Sequence, residues 1–266
     1  MITKFIKRIL RRDPMVRHTA AHTSGAPKRI PKKTHRIDPH LLSKNAVKVT
    51  QTLQQAGYDA FIVGGAVRDL ALGIGPKDFD VATNATPEQV QKLFRKARLI
   101  GRRFQIVHVT FFGKGQPEII EVSTFRALLE NAGEHVAENG RILRDNVWGS
   151  QHEDAARRDF SINAMYYDPA TETVLDYHGG MADMQKKTLR MIGDPAKRYR
   201  EDPIRMLRAI RFAAKTGFTL DAATRAPIAK LGKLIHDVPS ARLFDEILKL
   251  LMSGYSWAAI QGLKDA

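Results

Sequence analysis

Gly64-Gly65 ends the apolar run Phe61-Ile62-Val63 and opens Ala66-Val-Arg-Asp-Leu-Ala-Leu72, and Asp78 and Asp80 follow on either side of Phe79. This pairing constrains the fold more than any other feature of the chain. An apolar run closed by two glycines, then helical spacing up to Gly73, predicts a strand, a tight turn and a helix. Asp78–Ala82 predicts a second strand, on which alternation places both carboxylates on one face and Phe79 in the core. A turn without side chains lets the backbone approach an anion, and the free N–H groups of the following helix face it. Two carboxylates held side by side repel unless a cation neutralises them. With phosphate substrates that cation is usually Mg²⁺. The two halves together predict a phosphate cradle facing a metal site. Each alone has a plainer alternative: an ordinary strand-to-helix turn, and a strand end with two solvated acids. Arg68, in the first turn or so of the helix, is placed to reach a phosphate oxygen, and Asp69 to brace the loop.

Further elements follow from periodicity. Residues 40–56 predict a helix ending at Gly57, and Thr86 caps a helix over PEQVQKLFRKA with Pro87 at its first position. Gln105–Phe112 and Glu118–Phe125 predict a hairpin. In the second of these, Ile120, Val122 and Thr124 share one face and Glu121 and Ser123 the other, which makes Glu121 a candidate third carboxylate. Residues 127–152 look irregular. Asp154–Arg158 reads as helical, and Met165–Tyr167 with Thr173–Asp176 as another hairpin. From Pro195 onward the pattern is helical throughout. That shift, near residue 190, predicts an α+β domain over 38–190 followed by an all-α domain over 191–266.

The chain has 266 residues and no cysteine. That excludes disulfides, a thiolate metal site and a cysteine nucleophile, and fits a reducing cytoplasm. No apolar run approaches a membrane span, and FIKRIL near the start is too short and too charged for a secretory signal. Residues 1–37 hold eleven Lys/Arg and one acid, +10 of a net +15. They read as an unstructured basic arm: a tether for nucleic acid, a solvated tail, or a transit peptide.

GGAVRDLALG, KDFDVATNATPE, EVSTFR and RRDFSINAMYY, in this order, resemble the nucleotidyltransferase superfamily that contains bacterial poly(A) polymerases and tRNA CCA-adding enzymes. The resemblance covers residue 40 to the end. It implies a polymerase-beta-like head with a mixed sheet. It also implies that Asp78 and Asp80 bind two catalytic metals (Mg²⁺, with Mn²⁺ the alternative), that Asp159 is a further active-site carboxylate, and that Arg157 and Arg158 bind nucleotide. Asn163 falls in the same motif and is a candidate for positioning the sugar. Without the resemblance, Arg157-Arg158-Asp159 reads as a surface charge cluster. Glu201-Asp202-Pro203-Ile204-Arg205 resembles the family's neck motif, in which a carboxylate and a guanidinium read the incoming base without a template. Spacing alone allows an i,i+3 surface ion pair between Asp202 and Arg205 instead; Arg198 and Arg208 are candidates for the same face.

GRRFQIVHVTFFG, with Arg102 and Arg103, and ILRDNVWGS look more like poly(A) polymerase than a CCA-adding enzyme. The family continues past the neck into a helical body that grips RNA, so a missing or truncated body is expected here. The resemblance thus implies an RNA 3′-adenylyltransferase using ATP, with tRNA CCA addition as the alternative and a non-catalytic RNA-binding module as a second one. RNA 3′ ends are the expected partner, without a membrane.

Overall fold

A computed structural model describes residues 25–101, 105–113, 115–128 and 147–266. Its frame comprises β1 (Lys28–Pro31), α1 (Lys44–Gln55), β2 (Ala60–Val63), α2 (Gly65–Ala71), β3 (Asp80–Thr83) and α3 (Pro87–Leu93). It continues with β4 (Ala97–Ile100), β5 (Ile106–Phe111), β6 (Glu118–Thr124), α4 (Gln151–Arg157), β7 (Met165–Asp168) and β8 (Thr173–Asp176). The strands form one mixed sheet in the order β1-β8-β7-β2-β3-β6-β5-β4. β3 and β6 run parallel, and the other neighbours are antiparallel.

Alternation gives the sheet two unlike faces. Ile62, Val81, Ile120 and Val122 are buried on one, beneath α1 and α3. α1 contributes Ala46, Val49 and Leu53, and burying a leucine contributes about 2 kcal/mol. Ser43 caps α1 by accepting from the N–H groups of Asn45 and Ala46, and Thr86 with Gln89 forms a reciprocal box at α3. Behind the other face, Val63, Ala82, Phe125, Ala155, Tyr166 and Leu175 form a second, smaller cluster.

Several expectations need correction. β3 begins at Asp80, so Asp78 lies just before the strand. The helix expected across PEQVQKLFRKA stops at Leu93, and Ala97–Ile100 pairs with β5 instead; sheet pairing overrides the helical spacing. The arm expected to be unstructured to residue 37 is ordered over its last part. Lys28–Pro31 pairs with β8 at the sheet edge, where a proline without an N–H is tolerated. Ile30, His35 and Ile37 are buried behind it. The rest of the arm, residues 1–24, lies outside the described residues, as do Arg102, Arg103 and most of ILRDNVWGS.

Beyond the sheet come α5 (Gly180–Gln185), β9 (Thr188–Leu189), α6 (Pro195–Glu201), α7 (Ile204–Thr216), β10 (Thr219–Leu220), α8 (Ser240–Leu251) and α9 (Ser256–Lys264). The region is not entirely helical: β10 pairs in parallel with β9. Nor is the EDPIR stretch one helix. Pro203 restricts the residue before it to extended backbone, so Asp202 sits at φ −151 and ψ 93 and separates α6 from α7. α7 buries Ile204, Met206, Ala209, Ile210 and Phe212 and packs against α8 and α9. Among the described residues no helix is long and apolar enough to cross a membrane.

Candidate active site

The end of β2, the start of β3, the turn after α4 and the helices α7 and α8 meet around a cavity of about 570 Å³. Gly64 turns the chain from β2 into α2 at φ +72, a backbone that L residues rarely adopt. A Cβ there would stand 3.4 Å from Arg158 Nη1 and 3.8 Å from Asp80 Oδ2. Those are ordinary contact distances, so what demands glycine is the positive φ, and the cation and the carboxylate face each other across the turn.

Asp80 follows directly on the opposite side of the turn, paired in register with Val63 on β2 and with Glu121 on β6. Burial, and then the charges of Glu121 and Asp78, push its carboxyl up to about 6, against the opposing pull of Arg158. Glu121 Oε1 stands 3.4 Å from His108 Nε2 and does not line the cavity. Asp78 is exposed and also lies outside the lining. Among the described residues no group of three or more His, Asp or Glu is placed to hold a metal. The donor set of Asp78 and Asp80 nevertheless fits Mg²⁺, which takes one or two carboxylates and completes its shell with phosphates and water. A cation there would relieve the charge that Asp80 carries at a cost.

The arginines are fixed by partners. Arg158 donates from Nη2 to Asp154 Oδ2 at 3.0 Å, and the Tyr166 hydroxyl donates to the same oxygen at 2.7 Å. Asp154 is buried, which alone would raise its pKa; the charge of Arg158 and the Tyr166 hydrogen bond hold it below the usual range. Arg68 is buried, donating from Nε to Asp69 Oδ1 at 2.8 Å and from Nη1 to Asn163 Oδ1 at 2.7 Å. Asn163 in turn donates to Asp159 Oδ1 at 3.2 Å. Asp159 receives Nε and Nη2 of Arg208 on Oδ2, at 2.9 and 2.7 Å. Burial works to raise its pKa, but Arg208, Asn163 and the Phe160 N–H overcome this and bring it down to about 2.

Glu201 Oε2 accepts from Arg198 at 3.0 Å and from Arg205 at 3.1 Å. Arg198 also donates to the Arg157 and Arg158 carbonyls, and its burial lowers its pKa to about 10. Asp202 is held by both terminal nitrogens of Arg242 on α8, at 3.1 and 2.8 Å.

Comparison with known proteins bears on what this cavity belongs to. Residues 60–190 match the model described as "Poly A polymerase head domain", and residues 217–266 match "Probable RNA and SrmB- binding site of polymerase A". Poly(A) polymerase I of Escherichia coli O6:H1 is 55% identical over 233 residues, covering 86% of this chain and 49% of that protein. The CCA-adding enzyme of Bacillus pumilus is 39% identical over 220 residues, 82% of this chain and 52% of that one. The chain belongs to the poly(A) polymerase and tRNA nucleotidyltransferase family. The family fold is shared with the crystal structure of the Bacillus stearothermophilus CCA-adding enzyme in complex with CTP. That match has a TM-score of 0.72 and 34% identity, covering 86% of this chain and 53% of the other. The chain spans about half the length of the curated relatives it matches.

Of the residues the family motifs point to, Gly64, Gly65, Arg68, Asp80, Arg158, Asp159, Asn163, Asp202 and Arg205 line the cavity together. Arg157 does not; its carbonyl serves Arg198. Motif reading missed the contribution of α8, which supplies Arg242, Asp245, Glu246 and Lys249 to the lining. It missed Asp154 as well, although its i,i+4 spacing from Arg158 was a usable signal. It also missed Phe212, around whose ring the guanidinium carbons of Arg68, Arg208 and Arg211 stand at 5.1, 5.1 and 4.4 Å.

Proposed function

We propose that this chain is the nucleotidyltransferase portion of a template-independent RNA 3′-adenylyltransferase. ATP occupies the cavity between the sheet and α7, AMP passes to an RNA 3′-hydroxyl, and pyrophosphate is released. The observation that carries this reading is the convergence of Asp80, the bare Gly64-Gly65 turn and arginines from both halves of the chain on one cavity. The greater identity to poly(A) polymerase I relatives favours adenylate over cytidylate.

In this reading the triphosphate lies against Gly64 and Gly65, with Arg158 Nη1 facing the same turn. Asp78 and Asp80 hold Mg²⁺, or Mn²⁺, with Glu121 beside them. When bound, the metal lowers the pKa of the attacking hydroxyl and neutralises the charge of the leaving group. The RNA 3′-oxygen bonds to the α-phosphorus as the bond to pyrophosphate breaks. Asp202 accepts from the adenine amino group and Arg205 donates to its ring nitrogen, the pattern a carboxylate and a guanidinium read on a base edge. Asp159, engaged by Arg208, acts as a positioning residue that fixes Asn163 and α7. A cytoplasmic location goes with this reading.

The test is nucleotide incorporation with Mg²⁺ on two primers, an unstructured RNA ending in A and a tRNA lacking CCA, each offered ATP or CTP alone. Long ATP-only tails on the unstructured primer are expected. CTP addition to the tRNA would replace the reading with CCA addition. Binding of both primers without extension would leave an RNA-binding module.

A further inference from the structure

β5 and β6 turn Val107, Val109, Ile120 and Val122 into the core, and among the described residues Ile119 and Glu121 are exposed on their other face. Register places Asp80, Glu121, His108 and Arg98 in one row across that face, on β3, β6, β5 and β4. The next row, on the side from which Asp78 enters β3, carries Ile119 opposite Thr110. Thr110 in turn donates its N–H to the carbonyl of Lys96. Phe112 follows at the end of β5. Phe112 is 65% exposed and Ile119 is 46% exposed, and Lys96 Nζ stands over one face of the Phe112 ring, 4.0 Å from its centroid.

An exposed ring beside an ammonium suits one unit of single-stranded nucleic acid, with the base on the ring and the phosphate at the cation. Lys96 and Arg98 are exposed beside it, and Glu118 is turned away to bond Ser43 and Asn45 at the start of α1; the acid on this face, Glu121, lies in the Asp80 row with His108 3.4 Å away.

Position gives the occupant. The cavity lies on the Gly64 and Arg158 side of Asp80. In-line displacement needs the attacking oxygen opposite the leaving pyrophosphate. With pyrophosphate at the Gly64 turn, that approach is over β6 and β5. Phe112 stands two strands across and four residues along from Asp80, about 10 by 13 Å at ordinary sheet spacings. That is about 16 Å, a span of about five nucleotides at the per-strand rise and about three for an extended strand with nearly twice that rise.

We propose that this face of β4–β6 is the platform for the RNA acceptor strand. Phe112 stacks a base about three nucleotides from the 3′ end, and Lys96 and Arg98 hold the phosphates beside it. The proposal rests on the adenylyltransferase reading of the Asp80 site.

The test uses the full chain and a short labelled oligo(A) without ATP, followed by anisotropy at several salt concentrations. Phe112→Ala weakens binding about tenfold, and Phe112→Trp restores it. Lys96→Ala and Arg98→Ala each reduce the salt slope by about 0.7. In primer extension, Phe112→Ala raises the RNA KM and leaves the ATP KM and the rate at saturating RNA unchanged. Thiouridine placed at successive positions crosslinks to the peptide around Phe112 from the predicted position. Unchanged affinity and RNA KM in Phe112→Ala, with crosslinks elsewhere, overturn the platform even if the wild type extends RNA. Loss of binding in Phe112→Ala with no extension by the wild type on any primer overturns the adenylyltransferase reading and leaves an RNA platform.

Discussion

Arg208 on α7 and Asp159 in the turn after α4 form a two-nitrogen grip on one carboxylate oxygen, 49 residues apart in the chain. It joins the helical region to the sheet domain at the wall of the cavity. Asp69 does the same nearby: one oxygen accepts from Arg68 and the other from Lys215 of α7 at 2.9 Å.

Removing one partner of the first grip leaves the other charge without its counter-ion. Arg208→Met is expected to cost about 3 kcal/mol of stability in denaturant titration. Asp159→Asn should cost less, because Arg208 keeps a second acid, Glu246, at 3.9 Å.

The same pair sets the acid limb of stability. Asp159 has a folded pKa of about 2, well below the ordinary aspartate value of 3.8. A depressed carboxylate stabilises the fold above its unfolded pKa, and the benefit is lost as pH falls through the folded one. Thermal scans should show stability declining between about pH 4 and pH 2, and Asp159→Asn should flatten that decline.

Gly64→Ala forces a Cβ onto a backbone at φ +72, 3.4 Å from Arg158 Nη1. A loss of about 1–3 kcal/mol is expected from the backbone alone. ATP affinity should fall with it, measured by calorimetry on variants confirmed folded by circular dichroism.

Burial and neighbouring acids push Asp80 up to about 6, which a divalent cation would relieve. Titrating Mg²⁺ near neutral pH should raise the melting temperature, by about 2.7 kcal/mol equivalent at a hundredfold excess over Kd. Asp80→Asn should abolish that rise together with nucleotide incorporation. An equal Mg²⁺ response in the variant would place the cation elsewhere.

Arg242 and Asp202 form a half-exposed pair, so Arg242→Ala should change stability by less than about 1 kcal/mol. Its effect belongs to binding. Freed from Arg242, Asp202 loses its fixed orientation, and the ATP KM should rise while the KM for RNA stays put.

The chemistry nearest in sequence was the most legible. The glycine turn, Asp80 beside it and the outward face of Glu121 all follow from local rules of backbone and alternation. Asp202 was legible as a site residue but not in its conformation, because the helical pattern of the flanking residues masked the break that Pro203 imposes. β1 was hidden by composition. KRIP offers one buried side chain, and its pairing with β8 rests on a partner 148 residues away (Lys28 opposite Asp176). The α8 residues were invisible for a similar reason. Glu246 is buried beside Arg208 and Arg211, yet nothing in SARLFDEILKLL distinguishes it from an ordinary amphipathic helix. Charges that matter through partners far along the chain leave no local trace.

The clasps between Asp159 and Arg208, and between Asp69 and Lys215, also bear on recombination between relatives. A chimera taking its sheet domain from one homologue and its helices from another would inherit each carboxylate without the cation shaped to meet it. Crossovers near residue 190 therefore need both clasps transplanted as matched sets, and a hybrid lacking them would present two sound halves with no common pocket.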